Sequence, residues 1–311
     1  MNKQIKSIFI LLLTAMIWGA AFVAQCEVDN DALGNFGFNG IRFLLGSVSL
    51  IPVILLFERD NPDKNKLMRT LRTGAVTGVA LFAASALQME GLSINHNAGK
   101  GGFITGLYTV FVPFLSYIVF KKKIHANTWI SAIMSAVGLY LLSGGFDKIN
   151  YGDAVILAGS VFWAIHILLI DTFLETDISP LKYSFVQFVT CGLLNLIFAA
   201  FTETITLSGI SANTVPILYT GIMSTGVAYT CQVIGQKDCK PTFAAIILST
   251  ECVFSAISGA ILLHEVMKPE GYIGCVLIFA GIIISQLNGK ENENAAEGSD
   301  NTCECAEHQA S

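Results

Sequence analysis

"LSTECVFSAISGAILLHEVM" (248–267) has the length and apolarity of a membrane-spanning helix, with a carboxylate, Glu251, near its start. About 20 apolar residues cross a bilayer. A charged side chain within such a run costs about 2.5–3.5 kcal/mol on insertion scales, so Glu251 requires a purpose. Moving back 143 residues lays "TGLYTVFVPFLSYIVFKKKI" (105–124) over this stretch, with Tyr108 on Glu251. The same offset sets Gly78 on Gly221 and Gly138 on Gly281. An offset of 145 lays "MIWGAAFV" (16–23) over "VFWAIHIL" (161–168), Trp18 on Trp163, and Arg42-Phe43 over Gln187-Phe188. The chain therefore reads as two copies of one unit, and a search for repeats comes before any assignment of function.

Composition agrees with a bilayer protein. Of 311 residues, 53% are hydrophobic and 13% charged, against about 25% charged in soluble domains. Ten apolar stretches follow one another, near 7–26, 36–57, 71–91, 98–120, 126–143, 152–172, 180–202, 214–236, 242–264 and 269–287. The expected fold is an all-α polytopic membrane protein. Five spans per copy is an odd number, so the copies must insert with opposite topology: ten transmembrane helices as an inverted repeat of two five-helix halves. Secondary transporters are built this way, with the site at the repeat interface near the midplane. The expected units are a cytoplasmic N-terminus (1–6), a first repeat (7–143), a short outer connection (144–151), a second repeat (152–287) and an acidic, disordered cytoplasmic tail (288–311), whose composition has no apolar periodicity.

Orientation follows from Lys and Arg, which collect on cytoplasmic loops. With the N-terminus inside, fourteen fall on the inner side (Lys3, Lys6, Arg59, Lys64, Lys66, Arg69, Arg72, Lys121, Lys122, Lys123, Lys182, Lys237, Lys240, Lys290) and only Lys148 and Lys268 on the outer. The expectation is a multi-pass plasma-membrane protein with both termini cytoplasmic. The first apolar run lacks an A-x-A cleavage site, and Gln25 before Cys26 spoils a lipobox, so it reads as a retained helix. Cys191, Cys231, Cys252 and Cys275 lie in apolar runs, where a thiol packs as a small hydrophobe. Cys303, Cys305 and His308 in the tail lack the second ligand pair of a zinc site. No metal or cofactor is expected. A GxxxxGK[ST] loop is absent, which argues against ATP-driven transport, and no basic, aromatic-interleaved stripe suggests nucleic acid.

"WGAAF" in the first span, "NAGKGGFITGLYTVFVPFL" in the fourth, and "STECVFSAISGAILLHE" followed by "GYIGCVLIFAGIIIS" in the last two resemble the EamA-type transporters of the drug/metabolite transporter superfamily. The resemblance covers about residues 7–287. It implies ten helices, cytoplasmic termini and export of small metabolites or amino-acid-like solutes, often coupled to an ion gradient. Two departures stand out: Lys122 where Glu265 stands in the second copy, and Cys252 where many relatives carry proline. The second predicts a stiffer helix at that point.

At helical spacing Glu251, Ser255 and Ser258 share one face, opposite Val253, Ile257 and Ile261. Glu251 is thus expected to point into the bundle, as a substrate or proton site or else as a structural carboxylate bonded to a neighbouring hydroxyl. Trp18 shares a face with Thr14 and Gln25, and Trp163 with His166. Trp18, Tyr108, Trp163, His166, Glu251 and Ser255 are the expected substrate-binding residues. Arg42 lies inside the second span on a face with Asn39, Gly46 and Ser49, at a depth similar to Glu90 and Lys100. Those three form either an ion cluster tethering an outer gate, which their depth favours, or a handle on Arg42 for an anionic substrate; Glu251, Arg42, Glu90 and Lys100 are the expected coupling or gating residues. The GxxxG runs "GAVTG" (74–78) and "GFITG" (102–106) let helix backbones approach.

The function expected is secondary transport, with a small molecule and the bilayer as partners. The alternatives are a membrane enzyme, disfavoured because His96, His125 and His264 stand in separate loops, and a channel or receptor, disfavoured because the tail offers no foldable signalling unit.

Overall fold

Apolar runs of this length have one way to satisfy their backbone groups away from water, intrahelical hydrogen bonding, and the described residues contain helices and no strand. The computed structural model describes residues 3–58, 63–121, 126–142, 150–174 and 178–264, and beyond them 266, 268–274, 276–278, 280, 281 and 284. The tail residues Cys303, Cys305 and His308, where no metal site is expected, lie outside the described residues. Up to Leu263 the described residues form thirteen α-helices and one π-helical segment: α1 Lys3–Cys26, α2 Asn35–Phe57, α3 Lys64–Asn95, α4 Ala98–Gly106, α5 Tyr108–Phe120, α6 Ala126–Leu142, α7 Tyr151–Leu174, α8 Pro180–Thr202, α9 Leu207–Ala212, α10 Thr214–Leu218, the π-helix Tyr219–Tyr229, α11 Thr230–Gln236, α12 Pro241–Leu248 and α13 Glu251–Leu262.

Eight stretches are long and apolar enough to cross a membrane, and two shorter apolar helices, Trp129–Gly138 and Pro269–Ile278, fall in the fifth and tenth expected spans. Residue placement follows a bilayer solvent. Phe9, Leu55, Phe201 and Ile261 face outward and are mostly exposed, while Asn39, Arg42, Gln187 and Asn195 are buried. So large an apolar exterior on a soluble protein would be a docking or aggregation surface; against lipid it is a solvated one.

The third span is longer than expected, α3 running from Lys64 to Asn95. Three spans expected as continuous are interrupted. The fourth breaks at Leu107 between α4 and α5, and the ninth breaks at Ser249–Thr250 between α12 and α13. The two breaks are equivalent at the 143-residue offset, and each places its marker residue, Tyr108 or Glu251, first in the following helix. Proline does not make the second break. The hydroxyls of Ser249 and Thr250 donate to the carbonyls of Ile246 and Ile247 at 2.8 and 2.7 Å, and Cys252 N and Val253 N bond three residues back. Side-chain competition for carbonyls and a tight turn interrupt the α ladder. The break thus forms without proline and precedes Cys252, which itself lies within α13. The eighth span turns π-helical over Tyr219–Tyr229, beyond the reach of an apolar-period argument.

Close helix approaches recur in pairs. A methyl on Gly138 in α6 would lie 2.6 Å from the Gly274 carbonyl oxygen, and one on Gly281 would lie 3.0 Å from that of Ser131; Ser131 and Gly274, like Gly138 and Gly281, are 143 residues apart. Gly74 and Gly78 lay α3 on α8, and Gly102 lays α4 on Ser255 of α13. At the centre α2 and α8 run antiparallel, since the start of α2 meets the end of α8 and the end of α2 meets the start of α8. The two ends of the bundle are called below the Asn35 end, which also carries Cys26 and Asn95, and the Glu58 end.

Candidate functional site

The break before Glu251 turns the first residue of α13 inward to a cavity bounded by α1, α2, α3, α4, α5, α7, the π-helix and α11. Trp18, Trp163 and Tyr229 form its aromatic wall. Trp18 is 4.6 Å from Tyr229 and 6.5 Å from Trp163 between ring centroids, and Trp163 stacks on Tyr229 at 5.9 Å with an 18° tilt. The indole N–H groups are fixed by the neighbouring helices: Trp18 Nε1 donates to the Ser224 carbonyl at 3.3 Å, on the π-helix, and Trp163 Nε1 to Gln88 Oε1 at 2.8 Å. Gln88 in turn donates to Gln25 Oε1 at 3.3 Å. Buried indoles need such partners, and here the partners also orient the wall.

An arginine and a glutamate face this cavity, neither with an ion-pair partner among the described residues. Arg42 is buried; its Nε donates to Asn39 Oδ1 at 2.8 Å, and its guanidinium carbon lies 4.6 Å from the Phe43 ring centroid and 5.7 Å from that of Phe38. A neutral amide and two rings are weak compensation for a buried cation. Glu251 is also buried, approached by the Tyr108 hydroxyl, and neither its Oε1 nor that hydroxyl completes a well-formed hydrogen bond. Thr105 Oγ1 and Gln232 Oε1, on the same lining, are likewise without partners. Buried polar atoms are nearly always paired in native proteins, so unpaired atoms gathered on one cavity mark a place where a polar solute or water completes them. The cavity encloses about 30 Å³, room for about two waters.

Of the expected substrate-binding residues, Trp18, Tyr108, Trp163 and Glu251 line this cavity. His166 and Ser255 do not. The His166 ring lies behind the wall, edge-on to Trp163 at 5.7 Å, with Nε2 3.0 Å from Gln187 Oε1. Ser255 is spent on packing: its hydroxyl donates to the Ala98 carbonyl at 2.7 Å, where α4 covers that face of α13. Along the opposite face Ile257 and Ile261 are exposed, but Val253 is buried.

The expected cluster of Arg42, Glu90 and Lys100 does not form. Glu90 accepts from Asn35 Nδ2 at 2.8 Å on the Asn35 end. Lys100 pairs with Asp153 at 2.7 Å, within a network in which Asn95 and the Asn150 backbone also donate to Asp153. Residues at similar sequence depth thus diverge because Arg42 turns inward to Asn39, whereas the other two stand at helix ends.

Sequence reasoning missed Tyr229, Gln88 and Gln232. The signal available was an amide or phenol inside an apolar run, which has the same cost argument as Glu251 in weaker form. Among the described residues, no group of three or more His, Cys, Asp or Glu is placed to hold a metal.

An uncharacterized transporter of Archaeoglobus fulgidus is 30% identical over 280 residues, covering 89% of this chain and 84% of its own length. A WAT1-related protein of Arabidopsis thaliana is 19% identical, covering 96% of this chain and 94% of its own. A crystal structure with 16% identity superposes with a TM-score of 0.74, over 93% of this chain and 99% of that one, which establishes the shared fold. The EamA-like transporter family matches twice, over residues 5–144 and 150–287. With nearly the whole chain taken up by those two matches, this protein is a membrane protein that belongs to the EamA-like transporter family.

Proposed function

We propose that the protein is a secondary transporter that exports a small amino-acid-like zwitterion across the plasma membrane by alternating access, in exchange for protons. The observation that carries this reading is a pair of buried ionisable side chains on one cavity, Arg42 and Glu251, without ion-pair partners among the described residues and set beside an aromatic wall. A solute with a carboxylate and an ammonium group would complete both, the carboxylate at the Arg42 guanidinium and the ammonium at Glu251. Trp18, Trp163 and Tyr229 would take its apolar part. A carboxylate can hold a proton or an ammonium group but not both, so competition at Glu251 exchanges one for the other. An inward proton gradient then drives the solute out.

The architecture proposed is ten helices in two inverted halves. Support comes from the twofold family match, the equivalent breaks at Leu107 and Ser249–Thr250, and the reciprocal Gly138–Gly274 and Gly281–Ser131 approaches. With lysine and arginine inside, the Glu58 end is cytoplasmic and the Asn35 end external. Reporter fusions at Lys64 and Lys290 should read inside and one at Asn213 outside; a fusion at Lys290 reading outside would remove the ten-span arrangement.

The solute class is tested with purified protein in proteoliposomes preloaded with labelled amino acids, simple amines or simple carboxylates, under an imposed pH gradient. Gradient-dependent efflux of zwitterions above both monopolar sets is expected. Equal transport of the amines alone, or indifference to the gradient, would overturn the reading.

A further inference from the structure

The antiparallel pair α2 and α8 is joined at both ends by a glutamate that follows one helix and seats on the start of the other. At the Asn35 end Glu203, just past α8, accepts from Phe36 N at 2.9 Å and Gly37 N at 2.7 Å, in the first turn of α2. At the Glu58 end Glu58, just past α2, accepts from the hydroxyl of Ser179, which caps α8 and itself accepts from Lys182 N at 3.2 Å. The offset of 145 that lays Trp18 on Trp163 also lays Glu58 on Glu203 and Gly34 on Ser179. The residues are therefore equivalent, yet they act at opposite ends. Gly34 leaves the space that Glu203 fills, because a methyl there would overlap its carboxylate.

We propose that Glu203 and Glu58 are paired latches, each closing one end of the transport path and each released when that end opens. The proposal rests on the alternating-access reading above. α2 and α8 lie in different repeats, so an opening that swings one half away from the other at one end parts the helix ends joined there. A carboxylate on backbone amides or a hydroxyl is a charge-assisted, short-range bond that is strong when seated and lost on small separation. Both latches are engaged here, and the cavity between them has room for about two waters. Other polar bonds at the Asn35 end, between Lys100 and Asp153 and between Asn213 and the Asp29 backbone, join different helices, so Glu203 supplies the polar α2–α8 link there, beside the stacking of Phe36 on Phe198 at 5.5 Å. At equilibrium, removing one latch should shift the population toward the state open at that end.

The test reads accessibility rather than transport. Ser224, on the cavity lining, is replaced by cysteine in a chain freed of its native cysteines. A membrane-impermeant thiol reagent is then applied to vesicles of either orientation, without substrate or pH gradient. Glu203→Gln should raise labelling from the Asn35 side by about threefold or more, and Glu58→Gln from the Glu58 side by as much, each with little change from the other side. Gly34→Ala, which expels the Glu203 side chain while keeping its charge, should copy Glu203→Gln; Ser179→Ala should copy Glu58→Gln. Equal increases from both sides, no change, or loss of all four proteins from the membrane would overturn the proposal, since each makes the contacts scaffold rather than latch. Because neither substrate nor gradient is present, failure of the zwitterion or proton reading leaves this result interpretable, and failure here leaves those assays unaffected.

Discussion

Glu251→Gln should accumulate in the membrane at wild-type level and lose pH-gradient-driven transport by about 100-fold, near the upper end of what one charge-assisted bond supplies, about 1.5–3 kcal/mol. Normal accumulation is expected because the carboxylate secures little in this structure: its Oε1 has no hydrogen-bond partner, and the Tyr108 hydroxyl that approaches it can meet an amide as readily. Loss of coupling is expected because glutamine keeps the shape and cannot carry a proton. Glu251→Asp, which retains the group one methylene shorter, should keep part of the activity. Counterflow of labelled solute without a gradient separates the two uses of the carboxylate. If Glu251 only carries the proton, counterflow survives in the glutamine variant; if it also receives the ammonium group, counterflow falls too. Full gradient-driven transport by a well-expressed Glu251→Gln protein would reduce Glu251 to a structural polar group.

Much of this site was legible because membrane solvation penalises polar residues so heavily. Glu251, Arg42 and the tryptophans declare themselves against an apolar background, and the offset between copies predicts that Tyr108 faces the same cavity as Glu251. What stayed hidden has local physical causes. His166 lies three residues from Trp163, within reach of the same helix face, but the long indole extends to the cavity while the imidazole stops at Gln187. Ser255 follows Glu251 by one turn, yet Gly102 lets α4 come so close that the serine is covered. The π-helix Tyr219–Tyr229 is the clearest loss. Closure between residues five apart rotates each successive side chain away from its α-helical position, so a reading at α-helical spacing could not bring Tyr229 to the wall. It also presents the Ser224 and Ala228 carbonyls to Trp18 and Thr14, at 3.3 Å each, contacts that no side-chain pattern encodes.

Arg42→Met should separate stability from function in the opposite sense to most core substitutions. A buried cation without a counter-anion carries a desolvation cost of several kcal/mol. The compensation seen is one hydrogen bond to Asn39 and the faces of Phe43 and Phe38, worth about 1.5–3 and about 0.5–2 kcal/mol respectively. Methionine fills a similar length and removes the desolvation cost; it leaves the buried Asn39 Oδ1 without its Arg42 donor, at about 1–3 kcal/mol, less than the several kcal/mol removed. The thermal midpoint of the purified protein without substrate is therefore expected to stay level or rise. Transport should nevertheless fall by about 10–100-fold, because the carboxylate of a zwitterion loses its charged partner. The sharper readout is ligand-induced stabilisation, since a solute that binds only the folded state raises the midpoint in proportion to its affinity. An amino acid carried by the wild type should raise the wild-type midpoint and leave that of Arg42→Met unmoved. Arg42→Lys keeps the charge but not the planar fork that grips a carboxylate, and it should fall between the two. A destabilised Arg42→Met protein that still transports and still responds to the solute would make Arg42 a packing element and place the carboxylate elsewhere. The retention of a costly charge at a buried position, where an apolar residue would fold as well, is what makes the substrate the expected beneficiary.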